Sequence, residues 1–274
     1  MAGRLTVCPT PIGNMGDITD RVRLALAESD LVACEDTRRA GRLFERLEIA
    51  RPRLVSYHDQ NESERSLQIS QQIERGAKVA LISDAGTPAI SDPGYRLVQT
   101  CLERNLDVEV LPGPSSVTTA LVASALPADR WRFEGFLPRR AGELERVLSS
   151  AETVVAFESP RRLPDSLSAL AALAPERPAA VCRELTKLHE EISRGTLSEL
   201  SRRYRDEVKG EIVVVIAAGE AAGAAPDTAF AVDALRRLVK AGAKPRAAAG
   251  VVAALTNTRP NELYTALTGR APRE

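Results

Sequence analysis

Three short loops carry the residue types from which a binding site can be built. They are Pro9-Thr10-Pro11-Ile12-Gly13-Asn14, Ser83-Asp84-Ala85-Gly86-Thr87-Pro88 with its continuation Asp92-Pro93-Gly94-Tyr95, and Leu111-Pro112-Gly113-Pro114-Ser115-Ser116. Each follows a short apolar run, and its Gly and Pro residues force a rigid turn where a strand ends. In an open α/β sheet, ligands sit at that edge. Gly86, Pro88, Gly113 and Pro114 offer stiff backbone to a flat, mostly uncharged molecule, while Thr87, Ser115 and Ser116 offer hydroxyls to a ribose or carboxylate. The first loop has no Gly-x-Gly-x-x-Gly, so the usual pyrophosphate turn is missing. A ligand without a pyrophosphate fits better, and nucleoside cofactors are consistent with that.

The elements that must position these loops follow from the apolar pattern. Short strands are expected at 5–8, 31–34, 54–57, 78–82 and 108–111, alternating with helices that begin near the capping residues Asp17 and Thr19, after Glu35-Asp36-Thr37-Arg38-Arg39, after His58-Asp59-Gln60-Asn61-Glu62, and at Tyr95. That alternation argues for a parallel, doubly wound sheet. A second α/β unit follows, with strands near 132–136, 154–158, 179–183 and 212–217 and helices near 143–148, 163–173 and 197–204. The expected division is an N-terminal α/β domain over 1–113, a second over 114–220 and a helical tail over 227–274, with an Ala/Gly/Pro linker at 220–226.

Composition narrows the function classes. The chain has 274 residues with 37 basic and 37 acidic side chains, so it can bury a sizeable core and offers no global charge for nucleic acid or membrane. Its basic residues are mostly Arg, in doublets such as Arg38-Arg39, Arg139-Arg140 and Arg161-Arg162. They read first as solvated surface, although the guanidinium fork also suits phosphate. Cys8, Cys34, Cys101 and Cys182 show no Cys-x-x-Cys spacing, so neither disulfides nor a metal site is expected. No apolar run approaches the roughly 18 residues of a membrane span, and a cytoplasmic protein is the default expectation.

Taken together with Cys34-Glu35-Asp36-Thr37-Arg38, Phe133-Glu134-Gly135-Phe136-Leu137-Pro138 and Arg183-Glu184-Leu185-Thr186-Lys187, the three loops resemble, in order, the motifs of the bacterial small-subunit (16S) ribosomal RNA 2′-O-ribose methyltransferases. These belong to the tetrapyrrole methylase superfamily. The resemblance runs from about residue 5 to 216. It implies two α/β domains of the tetrapyrrole methylase type, S-adenosyl-L-methionine in the cleft between them, a homodimer, and methyl transfer to the 2′-hydroxyl of a cytidine in small-subunit ribosomal RNA. It places the cofactor at Pro11, Gly86, Thr87, Ala89, Ile90, Ser115, Ser116 and Phe157. Where related methylases carry Gly-Asp-Pro, this chain has Gly86-Thr87-Pro88, a departure that favours the RNA branch over the tetrapyrrole and diphthine branches.

Such a transfer needs oxygen, methyl carbon and sulfur in line, and a group to take the hydroxyl proton. Glu35, Asp36, Asp84, Glu158, Glu184 and Lys187 are the candidates. Lys187 with Glu184 comes first, because an offset of three residues on a helix would put both on one face, and paired charge can tune a base. Asp36 is kept beside them. His58 reads as a loop residue, and Trp131 and Phe133 read either as a half-buried strand or as a stacking surface for an unstacked base. The basic tail residues Arg236, Arg237, Lys240, Lys244, Arg246 and Arg259 suit either RNA docking or a packing and dimer brace. The rival functions are a small-molecule (tetrapyrrole) methyltransferase of the same fold and a non-catalytic RNA-binding assembly protein.

Overall fold

The computed structural model describes residues 3–219, 228–256 and 258–268. Strands β1 (Arg4–Val7), β2 (Leu31–Cys34), β3 (Arg53–Ser56), β4 (Lys78–Leu81) and β5 (Asp107–Val110) form the first sheet in the order β3-β2-β4-β1-β5, all parallel as expected. The central strands β1, β2 and β4 are buried from their second residue onward because both faces are covered. Successive residues alternate between two cores. Leu5, Val7, Leu31, Ala33, Val79 and Leu81 pack with Ile69, Ile73 and Leu97 from α3 (Glu62–Glu74) and α4 (Tyr95–Glu103). Cys8, Val32, Cys34 and Ala80 pack with Val22, Leu26, Phe44 and Leu47 from α1 (Asp20–Ala27) and α2 (Thr37–Leu47). Thr19 caps α1 by accepting from the Val22 amide at 3.2 Å, and Asp36 caps α2 by accepting from the Arg38 amide at 2.8 Å.

From β1 the chain crosses over β4 to reach β2, and from β4 it crosses over β1 to reach β5. Connections from these two neighbours therefore leave in opposite directions, which opens a crevice at their C-terminal ends.

The second sheet differs from the first. Strands β6 (Trp131–Phe136), β7 (Thr153–Glu158), β8 (Pro178–Arg183), β9 (Glu191–Thr196) and β10 (Ile212–Ile216) lie in the order β6-β7-β10-β8-β9. Only β6 and β7 are parallel, and every other pairing is antiparallel. Strand β9 is absent from the sequence reading, because Glu-Ile-Ser-Arg-Gly-Thr lacks an apolar run. Helices α6 (Ala141–Leu148), α7 (Leu163–Leu173) and α8 (Leu197–Arg203) cover one face. The other face takes α5 (Ser116–Ser124), with Ile12 from the first loop and Leu185 inserted into the same core.

The three C-terminal helices, α9 (Thr228–Lys240), α10 (Pro245–Thr256) and α11 (Pro260–Thr268), pack on one another around Leu235, Val252 and Leu263. The expected linker at 220–226 lies outside the described residues. No described helix is long and apolar enough to cross a membrane. All four cysteines are free and buried.

Candidate active site

The three loops are fastened together before any ligand is considered. Thr10 and Gly86 exchange backbone hydrogen bonds of 2.9 and 3.0 Å, the Thr10 hydroxyl donates to the Ser83 carbonyl at 3.2 Å, and the Thr87 hydroxyl donates to the Pro114 carbonyl at 3.1 Å. Gly86 has φ +81°, and an added Cβ would stand 3.3 Å from Ile12 Cγ2. A side chain there would be strained in backbone and crowded in space. Thr87 thus acts as a strut, its hydroxyl proton committed to the next loop.

Backbone strain concentrates around the same loops. Ala89 and Ser91 have φ of 68° and 60°, and Glu184 and Thr186 have 52° and 66°. Left-handed conformations at non-glycine residues cost of order 1–3 kcal/mol each and gather at functional sites.

Two clefts open against this framework. The first, of about 430 Å³, is lined on one side by Gly86, Thr87, Ile90, Asp92, Ser115 and Ser116, and on the other by Phe136, Phe157, Leu185, Ile212 and Val213. Phe157 is flanked by Phe136 and Phe133 in edge-to-face contacts, with centroids 5.7 and 4.9 Å apart. An apolar wall facing hydroxyls and free backbone suits a nucleoside. The second cleft, of about 390 Å³, is lined by Thr10, Pro11, Gly13, Asp84, Lys187 and Glu211, and by Arg39, Arg42 and Arg46 from one face of α2. The two clefts share Ile12, Ala85 and Glu211 as their common wall.

Of the residues expected around the cofactor, Gly86, Thr87, Ile90, Ser115, Ser116 and Phe157 meet in the first cleft. Pro11 faces the second, and Ala89 lines neither; its methyl lies on the side of Gly94, where an added Cβ would stand 3.4 Å from it.

Lys187 and Glu184 do meet, with Nζ 2.8 Å from Oε1, but the segment between them is a tight turn and no helical face is involved. The Lys187 ammonium also reaches Glu211 Oε2 at 3.0 Å. Partial burial disfavours its charge, yet the hydrogen bonds to Glu184 and Glu211 outweigh that, and its pKa lies above the ordinary lysine value. Lys187, the first candidate for the base from sequence, is therefore a firmly held cation. Glu184 moves the opposite way. Burial pushes its carboxyl up, but the bonds from Lys187 and from the Glu211 amide hold it below the usual range.

Asp36 is not brought to this group. It lines a separate depression with Glu35, Arg38, His58 and Asp59, and the Arg38 side chain and amide hold its carboxyl at about 2. Glu158 is buried at the end of β7, where it accepts from Ser166, Arg162 and the Ser159 amide, so it is a fully engaged structural acid. His58 shares a hydrogen bond of 3.1 Å with Asn61. Trp131 is 37 % exposed on β6.

Sequence reasoning missed Glu211, which follows the positive-φ Gly210 at the head of β10. It also missed Arg42 and Arg46, although their spacing from Arg39 at i+3 and i+7 was a readable signal.

Comparisons with known proteins agree with this geometry. Residues 4–201 match the family model of the Tetrapyrrole (Corrin/Porphyrin) Methylases. The ribosomal RNA small subunit methyltransferase I of Mycobacterium bovis is 45% identical over 275 residues, covering 97% of this chain and 95% of its own length. Among solved structures, a diphthine synthase aligns with TM-score 0.61 at 17% identity, over 78% of this chain and 90% of its own. The uroporphyrin-III C-methyl transferase of Thermus thermophilus complexed with S-adenyl homocysteine aligns with TM-score 0.56 at 21% identity, over 80% and 99%. The solved structures share the fold, and by its family model and its curated relatives the chain belongs to the tetrapyrrole methylase family, within its small-subunit ribosomal RNA methyltransferase I group.

Proposed function

We propose that the protein uses S-adenosyl-L-methionine to methylate the 2′-hydroxyl of a cytidine ribose in small-subunit ribosomal RNA. The carrying observation is the pairing of an apolar, hydroxyl-lined cleft with a cationic one across the single wall of Ile12, Ala85 and Glu211. The near full-length likeness to proteins named as ribosomal RNA small subunit methyltransferases supports the choice of RNA over a tetrapyrrole.

The first cleft fits the cofactor. Its nucleoside would lie against Phe157 and Ile212, within reach of Ser115 and Ser116, in the space kept open by Gly86. When bound, S-adenosyl-L-methionine supplies a methyl carbon activated by its sulfonium. Arg39, Arg42 and Arg46 would hold phosphates of the RNA and aim a ribose at the shared wall. Glu211 stands on that wall. Its Oε2 is held by Lys187, while Oε1 makes no hydrogen bond among the described residues and is placed to take the hydroxyl proton. Lys187, fixed by Glu184, would orient Glu211 and favour the oxygen as it loses its proton. A homodimer and a cytoplasmic setting, where the small subunit is found, accompany this reading.

The decisive experiment incubates purified protein, labelled S-adenosyl-L-methionine and unmethylated small ribosomal subunits, then maps the product by mass spectrometry. One 2′-O-methylcytidine is expected. Label on the base alone, or on a porphyrinogen and not on RNA, would overturn the proposal. Glu211→Gln should lower turnover by about 10²-fold or more, the usual contribution of a general base.

A further inference from the structure

The parallel strands β6 and β7 end in the same way. Phe136 and Phe157 are register partners, and each is followed within a few residues by Pro-Arg-Arg, namely Pro138-Arg139-Arg140 and Pro160-Arg161-Arg162. Because the strands are parallel neighbours, the two triplets emerge side by side at one edge of the sheet. Arg162 is committed to structure. It turns inward, donating to the Leu137 carbonyl at 2.7 Å and pairing with the buried Glu158 at 3.2 Å, and so ties the β7 loop to the β6 loop. Arg140 precedes α6 and stands 4.0 Å from Glu143.

Arg139 and Arg161 are left over. Both are exposed, neither has an ion-pair partner among the described residues, and both line one depression of about 700 Å³. Asp165 is the one acidic residue on its wall. This depression adjoins the first cleft through Ser159, and it shares no residue with the cleft that the arginines of α2 line. Two unpaired guanidinium forks on rigid, tied loops are shaped for the paired oxygens of phosphate groups.

We infer that Arg139 and Arg161 form a second phosphate clamp, which grips the RNA backbone at a depression separate from the one lined by Arg39, Arg42 and Arg46. The inference rests on RNA being the substrate. It gives the strand a second point of attachment, so that the ribose is presented to the shared wall without depending on its base. Doublets that look like ordinary solvated surface in the sequence thereby acquire a division of labour, one arginine of the second triplet fastening the loops and its neighbour facing outward.

The test is the double variant Arg139→Ala/Arg161→Ala in the full chain, with Arg139→Lys/Arg161→Lys beside it. Binding to small ribosomal subunits is titrated from low to high potassium chloride without cofactor, and methyl transfer is measured with it. The alanine variant should raise KM for the subunit about tenfold and make the dependence of log affinity on log salt shallower by about 2, roughly one per lost phosphate contact. Turnover at saturating subunit and calorimetric affinity for S-adenosyl-L-methionine should stay within about twofold of the parent, and the lysine variant should recover most of the salt slope. An unchanged KM and salt slope in the alanine variant would overturn the clamp. A parent that binds subunits but transfers no methyl group to them would instead overturn the functional reading, and the salt titration would still decide the clamp by itself.

Discussion

Around the C-terminal edge of the first sheet, Asp92 sits among Glu35, Asp59 and Asp84, where the cation Arg39 pairs with Asp84, whereas in the second sheet Glu191 gathers Arg183, Arg203, Tyr204 and Ser193 about itself. The pKa values separate accordingly. Burial pushes Asp92 up to about 6, a bond from Ser83 offsets part of that, and Glu35, Asp84 and Asp59 add to it. Glu191 is pulled down to about 2, first by its bond from Arg183, against the opposing effect of burial, and then by Arg203, Tyr204 and Ser193. The second sheet uses its acids to fasten strands. In the first, Glu35 and Asp92 are raised by burial and by neighbouring acids, and Asp92 stands on the wall of the first cleft. Charge left unsatisfied in a cleft is a mark of a binding site, and a cationic ligand is what would relieve it.

Four substitutions sharpen or break that contrast, taken from the largest effect to the smallest. Gly86→Val puts a β-branched side chain at a positive φ and against Ile12, so calorimetry should find cofactor affinity lowered by more than about 100-fold, beyond the cost of ordinary crowding. Affinity within threefold of the parent would remove Gly86 from the cleft. Lys187→Ala leaves Glu184 and Glu211 without their shared cation, and turnover should fall roughly 10- to 100-fold while cofactor affinity is kept. Equal loss of both would mean that Lys187 holds the fold and not the chemistry.

The remaining two read the acids directly. Glu191 has a folded pKa below its unfolded value, so its contribution is full above about pH 4.5 and is lost as pH falls toward 2. Glu191→Gln should cost about 2 kcal/mol in denaturant unfolding at pH 7 and progressively less toward pH 3. Asp92 has the opposite sign. The folded state binds its proton more tightly than the unfolded chain, so stability declines as pH rises from about 4 to about 6 and stays lowered above that. Asp92→Asn should therefore gain about 1 kcal/mol at pH 7.5, gain nothing at pH 4, and bind S-adenosyl-L-methionine a few-fold more weakly. Tighter cofactor binding by the asparagine variant would break the link between unsatisfied acid and ligand.

The first sheet was legible almost strand by strand, because its short, mostly apolar strands alternate with helices, and β1, β4 and β5 also run into loops with Gly and Pro. The second was legible where it is apolar, as in Ile212–Ile216, and not where an edge strand is polar, as in Glu191–Thr196. Six of the eight anticipated cofactor residues share one cleft, since local loop chemistry dictates them. Pro11 faces the neighbouring cleft because only the bridge between Thr10 and Gly86 fixes which way that loop turns, and a bridge across 76 positions leaves no local trace. The pairing of Lys187 with Glu184 was anticipated, but through a helix that does not form. Left-handed residues at 184 and 186 bring the two together in a turn, and no sequence periodicity encodes that. Glu211 was invisible for the same reason, its position being set by contacts with a segment more than 20 residues earlier.

The wall between the clefts has a consequence for how the molecule is made. Ile12 is synthesised among the first residues, but the core it enters is completed by Val213 and Val215, and the Asn14 amide waits for the hydroxyl of Thr186. The first sheet has all its strands once Val110 has been added, so it can close early on the growing chain. The first cleft cannot. Its second side lacks Glu211, Ile212 and Val213 until β10 emerges, so the cleft is completed only after more than three-quarters of the chain has been made.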